Sequence, residues 1–354
     1  MRLHHKGERS MTTLNSIATI EELEDRLSEP TPSVIETLGR IEGDLIVLGA
    51  GGKMGPSLAR MARRASDAAG VRRRILAVSR FSCIQAEASL QAHGIETRRC
   101  DLLDPDQLKE LPDTANVIFM TGLKFGSTGR EALTWATNAY LPGLVCQKYR
   151  RSRIAVFSTG NVYGLTPVAQ GGSRESDALR PLGEYAMSVV GRERLFDFFS
   201  RRLDIPVALL RLNYATELRY GVLVDVAQHV RARQPIDLSM GYVNAIWQGD
   251  ANAMALQALA RAASPPCVLN IAGPELLSVR QVAEQFGQLL SQRVVFQGQE
   301  SAEAFLSNAQ QAHRWFGYPR VCAAQMMEWI AAWVRADGVN LGKPTHFDVR
   351  NGCF

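Results

Sequence analysis

The sequence predicts an α/β fold, a doubly wound parallel sheet followed by a smaller C-terminal lobe. Three observations predict it. Short aliphatic runs alternate with longer amphipathic stretches from Asp44 onward, a glycine-rich turn joins the first run to the first such stretch, and the rhythm changes after Asn213. Runs without apolar/polar alternation suit strands buried on both faces. Their alternation with helical stretches is the pattern of a doubly wound sheet.

Taken in order, Ile17 to Ile41 reads as helical, with an acidic stretch Glu21 to Glu29 broken by Pro30 and Pro32. Residues 1–43 are therefore expected as an N-terminal extension ahead of the sheet. The strand runs are Leu45 to Leu48, Ile75 to Val78, Asn116 to Met120, Ile154 to Phe157 and Val207 to Leu212, with a further short strand before Asp101. Gly55 to Ala69 and Arg130 to Tyr149 have helical length and pattern, which gives a main domain over 44–213. Beyond it, Tyr220 to Arg233, Asp250 to Ala263 and Val279 to Leu290 read as helices, with β-like runs at Val268 to Ile271 and Arg293 to Phe296. Residues 214–240 and 264–354 are assigned to the smaller, substrate-binding lobe, and 241–263 to a return to the main domain. Asp250 is expected to cap a helix beginning at Ala251. His229 and His313 are expected to have surface or packing roles, and Trp329 and Trp333 to form core of the last helix.

Composition excludes several classes. A chain of 354 residues, 46% hydrophobic and 21% charged, describes an ordinary soluble globular protein. No uninterrupted apolar run approaches about 18 residues, so no membrane span is expected. Met1 to Ser10 is basic and carries His4 and His5, but no apolar core follows, so it does not read as a secretory signal; Met11 is an alternative start. The formal charge of +5 comes from scattered arginines that do not interleave with aromatics, which argues against nucleic acid. An anionic small-molecule substrate accounts for the sign equally well. The six cysteines (Cys83, Cys100, Cys146, Cys267, Cys322, Cys353) form no C-x-x-C pair and read as reduced structural thiols of a cytoplasmic protein. The histidines show no metal-ligand spacing, so no metal is expected.

The strongest local signal is Leu45-Ile-Val-Leu-Gly49-Ala-Gly51-Gly52-Lys53-Met54-Gly55. Glycines at 49, 52 and 55 stand between a buried strand and a helix, the context in which this spacing cradles a dinucleotide diphosphate. Glycine permits the turn and a close backbone approach. The helix N-terminus then turns its positive dipole end to the phosphates. After the second strand an acid would accept bonds from an adenosine ribose; here Ser79-Arg80 stands instead. A hydroxyl and a guanidinium suit a 2′-phosphate, so the cofactor is NAD or NADP, with NADP slightly preferred. Asp101-Leu102 is the acid-plus-apolar pair expected beside adenine.

With these motifs in place the chain resembles the extended short-chain dehydrogenase/reductase superfamily, in its NAD-dependent epimerase/dehydratase branch. The resemblance runs from about Leu45 to Gly317. It includes Thr121-Gly122-Leu123-Lys124 after the fourth strand, Asn138, the segment Thr159-Gly-Asn161-Val-Tyr163-Gly, Tyr185 at the head of a helix, Arg211-Leu-Asn213, Tyr242 to Asp250 and Asn270 to Ser278. It implies a Rossmann-type sheet, with Thr121, Gly122 and Lys124 lining the cofactor cleft. It also implies Tyr185 as acid/base, Thr159 as its hydroxyl partner, substrate contacts at Asn161, Asn213 and Arg219, and a homodimer. The implied substrate is hydroxyl-bearing and carbohydrate-like.

One position departs. The family's lysine, one helical turn after the tyrosine, is Val189 here. Bringing a phenol from its usual pKa near 10 to about 7 takes roughly 4 kcal/mol of phenolate stabilisation, at 1.36 kcal/mol per unit. Valine supplies none. Lys124, from the cleft loop, and Arg192, seven residues beyond Tyr185, are the alternative cations, and reach favours Lys124. Three readings stay open: Tyr185 still acts, other groups move the proton, or the fold is a catalytically silent dinucleotide sensor.

Overall fold

The computed structural model describes residues 16–82, 84–124 and 126–353. The basic start with His4 and His5, the alternative start Met11, and Cys83 lie outside the described residues. Seven parallel strands form the main sheet: β1 (Leu45–Leu48), β2 (Ile75–Ser79), β3 (Glu96–Arg99), β4 (Asn116–Phe119), β5 (Arg153–Thr159), β6 (Val207–Leu212) and β7 (Cys267–Ile271). Their spatial order is β3-β2-β1-β4-β5-β6-β7. The order reverses between β1 and β4, which pair directly, Leu48 opposite Phe119. Such a reversal opens a crevice at the carboxyl ends of the strands, where open α/β sheets bind ligands.

The aliphatic runs are strands because both faces are covered. Alternate side chains go to opposite layers. Val47, Ile118, Ala155 and Leu210 pack with helices α2 (Pro32–Arg40), α3 (Gly55–Ala68) and α10 (Gln248–Ala258). Ile46, Leu48, Val117 and Val156 pack on the other face with α7 (Leu141–Lys148) and α8 (Gly183–Leu203). The exception is β3, Glu-Thr-Arg-Arg at the sheet edge, held by ion pairs such as Arg99–Glu87 at 2.6 Å. Charged side chains on an edge discourage further pairing.

Two expectations about elements are corrected. Cys267–Ile271, assigned from sequence to the smaller lobe, is β7, paired in parallel with β6 through five residues. Asp250 does not cap its helix: it lies inside the first turn of α10, accepts from the Val321 amide at 3.1 Å and faces Arg320 at 3.6 Å. Met254 and Leu256 of α10 pack in the sheet's core.

The N-terminal segment is built into both halves of the molecule. The helix α1 (Ile20–Leu27) begins at a Thr19 capping box, and α2 begins at Thr31 with Pro32 as its first residue. Val34 and Leu38 enter the sheet core, while Leu23 and Leu27 enter the core of the smaller lobe. That lobe is made of α9 (Val222–Arg231), α11 (Val279–Leu290) and α13 (Ala323–Arg335), with short strand pairs between them. Trp333 is buried there, Trp329 meets Trp247 edge-on, and His313 is buried against the Ala272 carbonyl. Among the described residues no helix is long and apolar enough to cross a membrane, and no cluster of residues could hold a metal ion.

Candidate active site at the carboxyl edge of the sheet

The glycine turn leaves β1 at Gly49, whose φ of +92° demands glycine. A Cβ there would stand 2.7 Å from the Thr121 amide nitrogen; one at Gly51 would stand 2.5 Å from Ser79 Oγ, and one at Gly55 would strike the Ala50 carbonyl. Gly52 faces open space apart from the Gly49 carbonyl. Amides of Gly49 and Ala50 both donate to the Val78 carbonyl, which ties the turn to β2. The helix α3 then starts at Met54 without a side-chain cap, so its first amides remain available. Thr121 Oγ1, beside Gly49, is buried and has no partner. Backbone clearance, an uncapped helix start and an orphaned hydroxyl together fit a dinucleotide diphosphate. Ser79 lies half-buried beneath Gly51 and Arg80 is exposed. Leu102 is buried, and the Asp101 carboxylate accepts from the Leu103 amide at 3.1 Å.

Tyr185 and Thr159 meet. Thr159 ends β5; its hydroxyl receives the Asn161 amide and donates to Asn161 Oδ1, both at 3.2 Å, and it lies near enough to the Tyr185 phenol to favour the phenolate. Asn161, which follows in a short 3-10 turn, is buried beside it. Burial pushes the phenol pKa up; the Thr159 bond and the Arg192 charge act against that rise. Val189 is packed with Val162 and Tyr163, and Tyr185 leans on the same cluster. Both alternative cations are near. Lys124 Nζ stands 5.7 Å from the centre of the Tyr185 ring, and burial lowers its pKa to about 8. Arg192 is buried, one turn beyond Val189. Burial lowers its pKa to about 10, against the pull of Tyr185 and Glu193. Lys124 thus stands within reach of the phenol ring, and the Arg192 charge also favours the phenolate.

What fixes Arg192 is Asn138. The guanidinium donates to Asn138 Oδ1 at 2.8 Å, to its carbonyl at 3.3 Å and to the Phe157 carbonyl at 2.6 Å. Asn138 also brackets Leu123, accepting from its amide and donating to its carbonyl, both at 2.9 Å, and donates to Ser188 on α8. It sits in a π turn, Ala136–Tyr140, between α6 (Glu131–Trp135) and α7. Four residues on stands Pro142, which has no N–H to offer the Asn138 carbonyl, so that carbonyl accepts from the guanidinium. Gly122 completes the fit, since a Cβ there would stand 3.0 Å from an Arg192 nitrogen. The position of Asn138 was readable in the sequence; its bond to Arg192 was not.

Of the expected substrate contacts, Asn213 is buried at the end of β6 and donates to the Phe305 carbonyl at 3.2 Å. Arg219, expected to meet an anionic substrate group, is instead held by two carboxylates, Glu217 at 3.0 Å and Glu24 of α1 at 2.7 Å. A feature not anticipated lies under the site: Ser158 donates to Glu193, which grips Arg211 at 2.7 Å, and Arg211 donates to the Tyr163 hydroxyl at 2.7 Å. Tyr163 in turn donates to Asn270 of β7. This buried chain joins β5, α8, β6 and β7. Burial opposes the charge on Arg211, but the Glu193 carboxylate prevails and holds its pKa raised.

Residues 45–215 match a model of the NAD dependent epimerase/dehydratase family. No curated protein sequence matches the chain. Among solved structures it is similar to a dTDP-glucose 4,6-dehydratase from Streptomyces venezuelae with NAD bound, at 17% identity and a TM-score of 0.70, covering 82% of this chain and 97% of that one. It is also similar to a UDP-glucose 4-epimerase from Thermotoga maritima with UDP-glucose, at 15% identity and a TM-score of 0.67, over 83% of this chain and 99% of that one. A UDP-glucuronic acid 4-epimerase from Bacillus cereus, in complex with UDP-glucuronic acid and NAD, gives 16% identity and 0.68 over 82% and 99%.

Proposed function

We propose, from the match of residues 45–215 to the NAD dependent epimerase/dehydratase family, that this protein is a nicotinamide-dinucleotide enzyme exchanging hydride with a hydroxyl-bearing, carbohydrate-like substrate. The observation that carries the reading is that Tyr185, at the head of α8, and Thr159, at the end of β5, come together at the crevice edge, where Thr159 bears on the phenol. The glycine turn from Gly49 to Gly55, the α3 start, Thr121 and Lys124 hold the dinucleotide. When bound, the nicotinamide supplies the hydride acceptor and donor.

The chain's own residues move the proton. Tyr185 Oη takes it from the substrate hydroxyl and gives it back, while Thr159 Oγ1 holds the same substrate oxygen. Arg192 provides the positive charge that Val189 cannot, and Lys124 adds a second while it stays protonated. Asn138 positions both, through its bonds to Arg192 and Leu123. Asn161 and Asn213 border the substrate side. Arg219, locked between Glu217 and Glu24, shapes the lobe instead of binding an anion.

Cofactor choice follows the end of β2. No acid stands there to repel a 2′-phosphate, and exposed Arg80 favours one, so NADP is the preferred form over NAD. Parallel titration of the two cofactors reads this directly, and tighter NAD would reverse it. The protein is expected in the cytoplasm. It is also expected as a homodimer, paired through α6, the π turn and α8, where Trp135, Tyr140 and Phe198 are 40%, 58% and 51% exposed.

A second reading has one observation behind it: the place of the family's lysine is filled by a packed valine, as suits a silent dinucleotide sensor. Substrate-dependent exchange of label between reduced cofactor and sugar nucleotides separates the two. Exchange supports the enzyme; its absence across UDP- and dTDP-linked hexoses, with dinucleotide binding intact, supports the sensor.

A further inference from the structure

A second opening lies at the other edge of the sheet, away from the crevice. It sits where the chain enters β4 and β5, between α5 (Pro105–Glu110) and α7, and has a volume of about 830 Å³. Pockets for small organic molecules run from about 300 to 1,000 Å³. Asp113 to Ala115 lead into β4 and Arg150 to Ser152 lead into β5, and both segments line the cavity. They are tied together: the Ser152 hydroxyl donates to the Thr114 carbonyl at 2.5 Å, and the Arg153 amide to the Ala115 carbonyl at 3.0 Å. The walls are thus fixed to the sheet.

The lining joins apolar Leu108 and Leu144 to four cations, Lys109, Lys148, Arg150 and Arg151, against one carboxylate, Asp113. Lys148 is already engaged. It pairs with Asp113 at 3.0 Å, donates to the Lys109 carbonyl at 3.2 Å, and stands in the last turn of α7, where the helix dipole favours a cation. Lys109 pairs with exposed Asp106 at 3.0 Å. Among the described residues, neither Arg150 nor Arg151 has an ion pair or a side-chain hydrogen bond.

Tyr149 lines the same cavity. It is 1% exposed, and its hydroxyl has no hydrogen-bond partner. Burial pushes its pKa up, so the phenol keeps its proton and remains a donor. A buried donor without an acceptor is a standing cost, and phenylalanine would fill the same core space without it.

Guanidinium forks bind phosphoryl oxygens through paired hydrogen bonds. A phosphate monoester carries about −1.5 to −2 charges at neutral pH, which suits two unpaired arginines better than the single charge of a carboxylate. We propose that this cavity binds a phosphate monoester with an apolar or aromatic body, its phosphoryl group on Arg150 and Arg151 and its body against Leu108 and Leu144. In that complex the Tyr149 hydroxyl gains the acceptor that the fold alone denies it. The site stands at the opposite ends of the strands from Gly49 and Thr159, and it does not depend on the enzyme reading.

The test is equilibrium titration of the full chain with phenyl phosphate, inorganic phosphate and benzoate. It compares wild type with Arg150→Gln combined with Arg151→Gln, and with Tyr149→Phe. Both arginines are exposed, so their replacement leaves the core intact; equal melting temperatures verify that. Phenyl phosphate should bind wild type at least tenfold more tightly than inorganic phosphate or benzoate, and at least tenfold more tightly than it binds the double variant. Tyr149→Phe should melt no lower than wild type, because its hydroxyl holds nothing in the free protein, yet bind the probe more weakly. Saturating NADP or NAD should leave the affinity for phenyl phosphate unchanged. No binding to wild type, equal affinity in either variant, displacement by a dinucleotide, or inorganic phosphate binding as tightly as phenyl phosphate would each overturn the site. Failure of both dinucleotides to bind, with the phenyl phosphate results standing, overturns the enzyme reading and leaves the site in place.

Discussion

A buried phenol keeps its proton unless charge compels otherwise, so the cations around Tyr185 decide what it can do. Tyr185→Phe removes the proton carrier, and kcat/KM should fall by about 10²- to 10⁴-fold, the usual worth of a positioned acid/base. Thr159→Val should lower it less, through loss of one bond to the substrate oxygen. Unchanged turnover in both would sink the assigned roles. The two cations can be told apart by pH. Arg192 keeps its charge across the neutral range, its pKa being lowered only to about 10, whereas Lys124, near 8, loses its own as pH rises. Arg192→Lys should therefore move the basic limb of kcat/KM to lower pH, because a buried ammonium gives up its proton sooner than a guanidinium, while Lys124→Met should remove only a contribution that fades above pH 8. An unmoved limb in Arg192→Lys would remove the guanidinium from the mechanism. Lys53 gives a third reading. The unfolded chain keeps that proton up to its usual value near 10.5, while the fold releases it from about 7. Stability of the ligand-free protein should thus rise with pH between those values, and less so in Lys53→Met. The groups facing Lys53 in that experiment are Lys343, Lys124, Asp225 and Glu217, with His229 and His346 acting on Asp225. At this scale the sequence was informative where chemistry is local, as in the glycine turn and the Thr159 and Tyr185 segments. It was silent where partners are distant: Arg219 meets Glu24 across 195 residues, which no spacing rule reveals.

Elements showed the same division. The strands β1, β2, β4, β5 and β6 are legible as aliphatic runs because helices cover both their faces. The edge strand β3 has no such run, its four residues being mostly charged. The other edge strand, β7, was assigned to the wrong lobe because the chain travels through α9 and α10 before returning to pair with β6. Helix Arg130 to Tyr149 was found, but not the π turn within it, since that turn answers to Asn138 and its distant partners. Asn138→Ala should expose what the turn does. It would leave the half-buried Leu123 amide and carbonyl and one Arg192 donor without partners, costing about 1–3 kcal/mol for each group not rescued by water. Chemical denaturation would register a loss of at least about 2 kcal/mol; a smaller one would mean that the turn holds itself. At α1, Leu23→Ala should cost about 2–5 kcal/mol for a fully buried leucine, which chemical denaturation would read; a loss well below that would mean that α1 contributes little to the core.

For the molecule as a whole, the exposed aromatic rings of the π turn and α8 predict a dimer whose pairing helices also carry the site: Tyr185 heads α8, and Trp135 donates to Glu184 next to it at 2.5 Å. Phe198→Glu together with Tyr140→Glu should shift sedimentation from dimer to monomer, and activity should decline in step with the monomer fraction. A monomeric wild type would remove the pairing. The contact between Gly352 and Gly183 has a practical consequence of another kind: the residues beside Gly352 lie at the threshold of the proposed reaction centre. The same proximity offers a spectroscopic handle: with the other cysteines replaced, a dye on exposed Cys353 would report on the head of α8 when a ligand binds.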